Sequence, residues 1–223
     1  MTLFQRISGS MIVINDGSRD GTGAILDRLA REIPELRVIH QPNGGHGSAV
    51  LTGYRAAIDS PTDYVFQTDS DDQFRPEDFW KLWEARGQSP FICGYRKERQ
   101  DARTRLFITK VVVVLNFVLF GAWMRDSNVP YRLMKASYLD RLLHLVPSGV
   151  FAPNIFLSVL AVKSGSRLLE IPIRHEDRKT GTVSILRWKL LKVCFRCARE
   201  LFVFRVKTFG NREELARLKA QYA

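Results

Sequence analysis

Short apolar runs alternate with helical periodicity along the first half of the chain. Residues 11–15, 37–40, 63–67 and 91–93 read as buried strands. Between them the pattern predicts helices over about 23–32, 49–58 and 77–85. Pro76 opens the last one, where a missing N–H costs nothing. Such alternation predicts a layered α/β sheet that takes ligands at the carboxyl ends of its strands.

The second half changes character. Residues 103–123 read as one long apolar helix, 137–145 and 154–163 as shorter helices, and 167–173 as a strand. A charged, Gly-containing loop over 175–184 leads into a basic amphipathic helix over about 185–206. There Leu186, Leu190, Val193, Cys197, Leu201 and Phe204 recur at three- and four-residue steps, with Arg187, Lys189, Lys192, Arg196, Arg199 and Arg205 around them. Either that stripe packs on the core, or the helix lies in a membrane interface with its cations on anionic lipid. The boundaries expected are a globular domain over 1–184 and a basic helical tail over 185–223. The most apolar stretch, 106–124, is interrupted by Lys110 and Asn116, so it reads as a buried or interfacial helix and not a membrane span.

Charge sharpens the picture of that tail. The 223 residues carry a formal net charge of +11, and from Arg174 onward there are 13 Lys/Arg against 5 Asp/Glu. A basic tail of this kind meets phosphate, whether lipid, nucleotide or nucleic acid. Nucleic acid is disfavoured, because no zinc-finger spacing or RNA-binding aromatic signature is present and the carboxylates at 69–72 would repel a polyanion. Three cysteines form no disulfide framework, which fits a reducing compartment. Cys194 and Cys197, one turn apart on the amphipathic stretch, read as packing residues.

The strongest candidate chemistry is Asp69-Ser70-Asp71-Asp72-Gln73, directly after a predicted strand. Carboxylates two residues apart at a strand end can converge on Mg²⁺ or Mn²⁺, which completes its shell with phosphate oxygens and water. In isolation an acidic solvated turn would read the same. A calcium loop is excluded, since Phe74 and Trp80 stand where an EF-hand needs Gly and Glu. Upstream, residues 15–22 form an Asp/Gly/Ser turn, and Asn43-Gly44-Gly45-His46-Gly47 could let backbone approach a nucleotide.

In combination, residues 13–22, Gly45 to Ala49, Gly53 and Ala56, and 69–77 resemble the nucleotide-binding half of family 2 glycosyltransferases of GT-A fold. The dolichol- and polyprenyl-phosphate sugar transferases are especially similar. The resemblance continues through 94–101, 125–133, 170–175 and 178–181. It implies a GT-A-like (Rossmann-like) mixed sheet flanked by helices, and a metal-dependent, inverting hexosyltransferase. Donor-binding roles fall on Asp16, Gly45, Gly47, Asp69, Arg174, His175, Arg178 and Lys179. Metal roles fall on Asp69, Asp71 and Gln73, and catalytic roles on Asp71, Asp126, Arg96 and Arg99. The implied partners are a nucleotide-sugar donor, a lipid-phosphate or glycan acceptor, and an anionic membrane surface approached from the cytoplasm. Family members open with a strand, a turn and a helix before the Asp-Gly-Ser segment, whereas only ten residues precede Met11 here. The expectation is that part of the nucleobase pocket is absent and that the chain binds nucleotide-sugar poorly. The competing expectation is a non-catalytic basic module on anionic membrane or nucleic acid.

Overall fold

The computed structural model describes residues 7–96, 103–176 and 187–208, with Ala216, Arg217 and Ala220. The chain divides into two compact units, one running to Thr62 and one starting at Asp63.

The first unit is β1 (Met11–Asp16), α1 (Thr22–Glu32), β2 (Leu36–Gln41) and α2 (His46–Ile58). β1 and β2 pair in parallel, Met11 opposite Leu36 and Asp16 opposite Gln41. Parallel neighbours need a crossover, and α1 supplies it. Pro34 ends that helix by forcing Ile33 into extended geometry, φ −120° and ψ 100°. The apolar centre of this unit is small, made by Leu36, Leu51, Tyr54 and Ala56, and α1 buries no residue completely.

The second unit holds β3 (Tyr64–Thr68), α3 (Phe79–Glu84), β4 (Phe91–Arg96), α4 (Arg103–Phe120), β5 (Tyr131–Lys135), α5 (Ala136–Leu145), α6 (Pro153–Lys163), β6 (Leu168–Ile173) and α7 (Arg187–Thr208). Its sheet runs β3-β5-β4-β6. β5 is antiparallel to β3 and to β4, while β6 is parallel to β4. The carboxyl ends of β3, β4 and β6 therefore lie at the same end of the sheet as the amino end of β5. α6 is buried from Pro153 to Ala161. Its apolar surface all round is that of a core helix. α5 buries one face, with Tyr138, Leu139 and Leu142 fully enclosed.

Three features depart from the sequence pattern. The helix expected over 77–85 is a 3₁₀ turn, Pro76–Asp78, followed by the short α3; such turns commonly tighten helix starts. The apolar helix ends at Phe120, not 123, because Gly121 takes φ +66° and its N–H closes on Phe117 O at 2.7 Å. β5 has no counterpart in the predicted strands, although it lies between β3 and β4 and is buried over its first four residues.

The basic C-terminal stretch is helical as α7, and the C-terminal end of the stripe drawn along it faces inward. Leu201 and Phe204 are buried, and Phe204 meets Phe120 and Phe156 at ring distances of 5.8 and 5.0 Å. At Leu201 and Phe204 this stripe packs on the core. Leu186 and the side chains of Leu190 and Val193 lie outside what the structure describes.

Candidate functional site

In the first unit, β1 delivers Asp16 to the turn that precedes α1. Its Oδ1 accepts from Gln41 Nε2 at 2.6 Å and from the Gly44 N–H at 2.9 Å; its Oδ2 accepts from the Gly45 N–H at 2.8 Å. Burial works to raise the Asp16 pKa. The Gly44 amide, Gln41, the Gly45 amide and the nearby His46 outweigh it and hold the carboxyl below its usual range. Gly45, with φ +83°, occupies a conformation that suits a residue without a Cβ. Gly47 is buried in the first turn of α2. Beside them a relay fixes the turn: Asp27 Oδ1 meets His40 Nε2 at 3.0 Å, His40 Nδ1 meets Asn15 Nδ2 at 2.9 Å, and Asn15 Oδ1 accepts the Ser18 N–H at 3.1 Å. The amide nitrogen of Asn15 can only donate, so His40 accepts at Nδ1 and donates at Nε2.

In the second unit, Asp69 and Asp71 follow β3 and are both half-buried, whereas Ser70 and Asp72 between and after them are exposed. Asp72 takes φ +56°, a left-handed conformation Asp tolerates better than most residues. Asp69 Oδ1 accepts from Gln67 Nε2 at 3.3 Å. Gln73 donates from Nε2 to Glu176 O at 3.1 Å and accepts the Glu176 N–H at its backbone oxygen at 2.9 Å. Phe74 stacks edge-on with His175 at 5.4 Å, and Arg75 is ion-paired with Glu176. The loop carrying the carboxylates is thus clasped to the segment after β6, and Gln73 serves that clasp.

Arg174 sits at the same end. Its N–H donates to Asp78 Oδ2 at 2.7 Å, and its guanidinium lies 3.4 Å from Asp78 and 3.7 Å from Glu77. Asp78 is buried, which alone would raise its pKa, but Lys81 and the Arg174 amide hold it below its usual range. Arg96, at the end of β4, donates from Nε to Asp126 Oδ2 at 2.7 Å, with both side chains largely withdrawn from solvent. A buried guanidinium–carboxylate pair of this kind is geometrically firm. Arg99, Arg178 and Lys179 lie outside the described residues.

The structure thus gathers Asp69, Asp71, Gln73, Arg96, Asp126, Arg174 and His175 at one end of the second unit's sheet, as strand-end placement predicts. Asp16, Gly45 and Gly47 form their own cluster in the first unit. Sequence reasoning missed the side chains behind these residues: Gln67, Asp78, Arg132 and Asn154. Arg132 is fully buried and its guanidinium donates to the carbonyls of Val129, Ser127 and Asn154. With β5 absent from the predicted strands, no local signal in the sequence marked Arg132 as buried.

Among the described residues no group of three or more His, Cys, Asp and Glu side chains could encircle a metal. Two hard carboxylate donors, Asp69 and Asp71, fit a Mg²⁺- or Mn²⁺-type cation that shares its shell with phosphate and water. No helix among the described residues is long and apolar enough to cross a membrane.

The undecaprenyl-phosphate mannosyltransferase of Micrococcus luteus is 25% identical over 81% of this chain and 82% of its own length. The polyprenol monophosphomannose synthase of Mycolicibacterium smegmatis is 26% identical over 84% of this chain and 74% of its own. The undecaprenyl-phosphate 4-deoxy-4-formamido-L-arabinose transferase of Edwardsiella ictaluri is 29% identical over 83%, and the match spans 55% of that protein. Among solved structures, glucosyl-3-phosphoglycerate synthase from Mycobacterium tuberculosis superposes with a TM-score of 0.54 at 15% identity, over 86% of this chain and 67% of that one. That likeness establishes the GT-A-like fold. The model of one family matches residues 10–148, more than half of the chain. With the strand-end carboxylates and arginines in place, the chain belongs to Glycosyl transferase family 2.

Proposed function

We propose that the protein transfers a sugar, with inversion, from a nucleotide-sugar donor to a polyprenyl phosphate at an anionic membrane surface. The observation that carries this reading is the gathering of Asp69, Asp71, Arg96, Asp126 and Arg174 at one strand-end edge. The acceptors named for the similar transferases point to the lipid.

The reaction is a displacement at the anomeric carbon. An acceptor oxygen forms the new bond on one face while the bond to the nucleoside diphosphate breaks on the other. A lipid phosphate is already ionised near neutral pH, so no base must take a proton, and Asp126 keeps its pair with Arg96. A sugar hydroxyl would instead require Asp126 as base. Arg96 and Arg174 are placed to meet phosphate oxygens. Asp69 and Asp71 would hold a divalent cation, which when bound supplies neutralisation of charge on the departing diphosphate.

The membrane contact is read from exposed apolar side chains. Of the large apolar residues exposed among the described ones, most lie on α4, α7 and the turn after α4: Val114, Val118 and Trp123, and Phe195, Phe202 and Val206. Phe195, Arg199, Phe202 and Val206 follow one stripe of α7, opposite Phe204. Exposed Lys192 and Lys207 accompany Arg199 along that face, the composition that suits anionic lipid.

Incubating the full chain with radiolabelled nucleotide-sugars and Mn²⁺ tests the reading. Label should enter a chloroform-extractable polyprenyl phosphate product. Label entering only a soluble glycan, or none, overturns the lipid acceptor. Co-sedimentation with anionic but not neutral vesicles, weakened by salt and by Lys192→Glu with Arg199→Glu, tests the surface.

A further inference from the structure

A row of four side chains crosses the second unit's sheet at one level. Gln67 on β3 is the register partner of Arg132 on β5, Arg132 of Cys93 on β4, and Cys93 of Glu170 on β6. Register partners on neighbouring strands project to the same face, so the row is continuous. Three of its members reach segments that carry candidate site residues. Gln67 donates to Asp69 at 3.3 Å and accepts from Asn154 Nδ2 at 3.2 Å. Arg132 donates through Nη2 to Val129 O at 2.7 Å and to Ser127 O at 3.3 Å, and through Nε to Val129 O at 3.1 Å. Glu170 Oε1 accepts the Arg125 N–H at 2.8 Å, and its carboxylate also takes the Asp126 N–H.

The signs match the backbone groups. The cation of the row takes the carbonyls of the turn, and the anion takes its amides. Residues 125–129 are therefore gripped from below at both ends, by side chains from two strands that flank β4. Cys93, buried and small, lies between the two grips. Above, the same turn presents Asp126 to Arg96, and Arg125 stacks over Tyr95 at 4.5 Å.

We propose that Glu170 and Arg132 are positioning residues that lock the 125–129 turn and so fix where Asp126 holds Arg96. The functional part of this proposal rests on the reading of Arg96 and Asp126 given above. Stability alone is a poor reason to keep Glu170. Burial, the largest influence on it, raises its pKa, with the Arg125 amide and guanidinium acting in the opposite sense. What the carboxylate supplies at this position is its pair of bonds to the Arg125 and Asp126 amides.

The test uses the full chain and the variants Glu170→Gln, Glu170→Ala and Asp126→Asn. Glu170→Ala should lower kcat by about a hundredfold, the effect of a small misplacement near the chemistry, and leave KM for the nucleotide-sugar within about twofold. Glu170→Gln, which keeps one acceptor oxygen, should recover part of that loss, with a thermal midpoint no lower than that of the parent at neutral pH. In both, the amides of Arg125 and Asp126 should exchange with solvent faster, while those of β4 and β5 keep their protection, as read by NMR. Unchanged exchange at Arg125 and Asp126 overturns the proposal. So does a Glu170→Gln protein in which the thermal midpoint, kcat and KM all worsen together, since that is a general structural role. Wild-type turnover in Asp126→Asn instead removes the catalytic reading of that pair, while the exchange rates still decide whether Glu170 fixes the turn.

Discussion

Asp16 and Glu170 are two carboxylates that each hold a loop by its backbone amides, and their surroundings push them in opposite directions. Asp16 lies in the small first unit, where the Gly44 and Gly45 amides and Gln41 outweigh its burial and its pKa falls. Glu170 lies in the second unit's sheet, where burial outweighs the amides of Arg125 and Asp126 and its pKa rises. One arrangement is half-solvated, and the loop itself stabilises the charge. The other is enclosed, and the charge is disfavoured by its surroundings. The contrast places the firmer scaffolding, and the greater sensitivity to substitution, beneath the second unit's strand ends.

The largest test of that contrast is turnover. Asp71→Ala should lower kcat by about a hundredfold or more, because it removes electrostatic stabilisation specific to the transition state. Asp16→Asn should act mainly on donor affinity through a slackened 43–45 loop, raising KM by about tenfold or less, the scale of one lost charge-assisted hydrogen bond. Steady-state kinetics on both variants measures the two effects. Equal losses of kcat would erase the distinction between the units.

Stability gives the next largest effect. Arg132→Met leaves the carbonyls of Ser127, Val129 and Asn154 without their buried donor. The cost should be about 3 kcal/mol, read from the urea midpoint. Gln41→Ala removes donors from Asp16 and Ser48, but water can replace them, and the cost should be about 1 kcal/mol or less.

The same division decides what could be read from the sequence. β1, β2, β3 and β4, with the helices between them, were legible because apolar runs, turn residues and helical periodicity are local signals. The acidic loop at 69–73 stood out as a candidate only together with the Asp-Gly-Ser and Gly-rich turns upstream, since an acidic solvated turn has the same spacing. β5 was not, because Tyr131-Arg132-Leu133-Met134-Lys135 carries two cations, and nothing nearby in sequence says that Arg132 is buried under carbonyls from 127, 129 and 154. Gln67, Cys93 and Glu170 acquire their common role only through strand register. On α7 periodicity found the stripe that ends at Leu201 and Phe204 but could not say which face turns inward, since Phe195, Phe202 and Val206 form a second apolar stripe. The pairing of Arg96 with Asp126, thirty residues apart, was equally invisible.

Acid should separate the two carboxylates. Asp16 has a lowered folded pKa, so its contribution to stability is present above the ordinary value of 3.8 and is lost as pH falls through the folded value. The stability difference between the parent and Asp16→Asn should therefore begin to narrow only below about pH 4 and close as pH falls on through the folded value. Glu170 has a raised folded pKa, so the protonated form favours folding below the ordinary 4.5, and that contribution is lost as pH rises through the folded value. Any advantage of Glu170→Gln over the parent should be greatest near neutrality and disappear on acidification. Thermal melts from pH 3 to 8 would show the two differences closing for opposite reasons, the first as a handicap and the second as an advantage. A Glu170→Gln protein less stable than the parent at pH 7.5 would contradict the sign assigned to Glu170.

The last comparison concerns the loop that holds Asp16, where two glycines of positive φ meet different surroundings. Gly17 has φ +69°, and a Cβ there would stand 2.7 Å from Asn43 N; Gly45 has φ +83°, with nothing within 4 Å of its Cβ. Alanine at Gly45 meets no neighbour, but φ +83° with ψ 166° is a conformation reached almost only by glycine, and forcing a Cβ into it should cost about 1–3 kcal/mol. Alanine at Gly17 would carry the cost of a positive φ and also press on the strand of loop that donates from Asn43 Nδ2 to Asp16 O at 3.0 Å. The Asn43 backbone cannot swing aside as a side-chain tip could, so the carboxylate nest of Gly44 and Gly45 must shift with it. Each variant should thus cost about 1–3 kcal/mol, Gly17→Ala through contact with residue 43 and Gly45→Ala through its own backbone. Gly17→Ala should also return Asp16 toward its ordinary titration range, and Gly45→Ala should not. Denaturant midpoints and the carboxyl ¹³C shift of Asp16 measure both. If the two variants titrate alike, the nest is held by something other than the tight approach of residue 17 to residue 43.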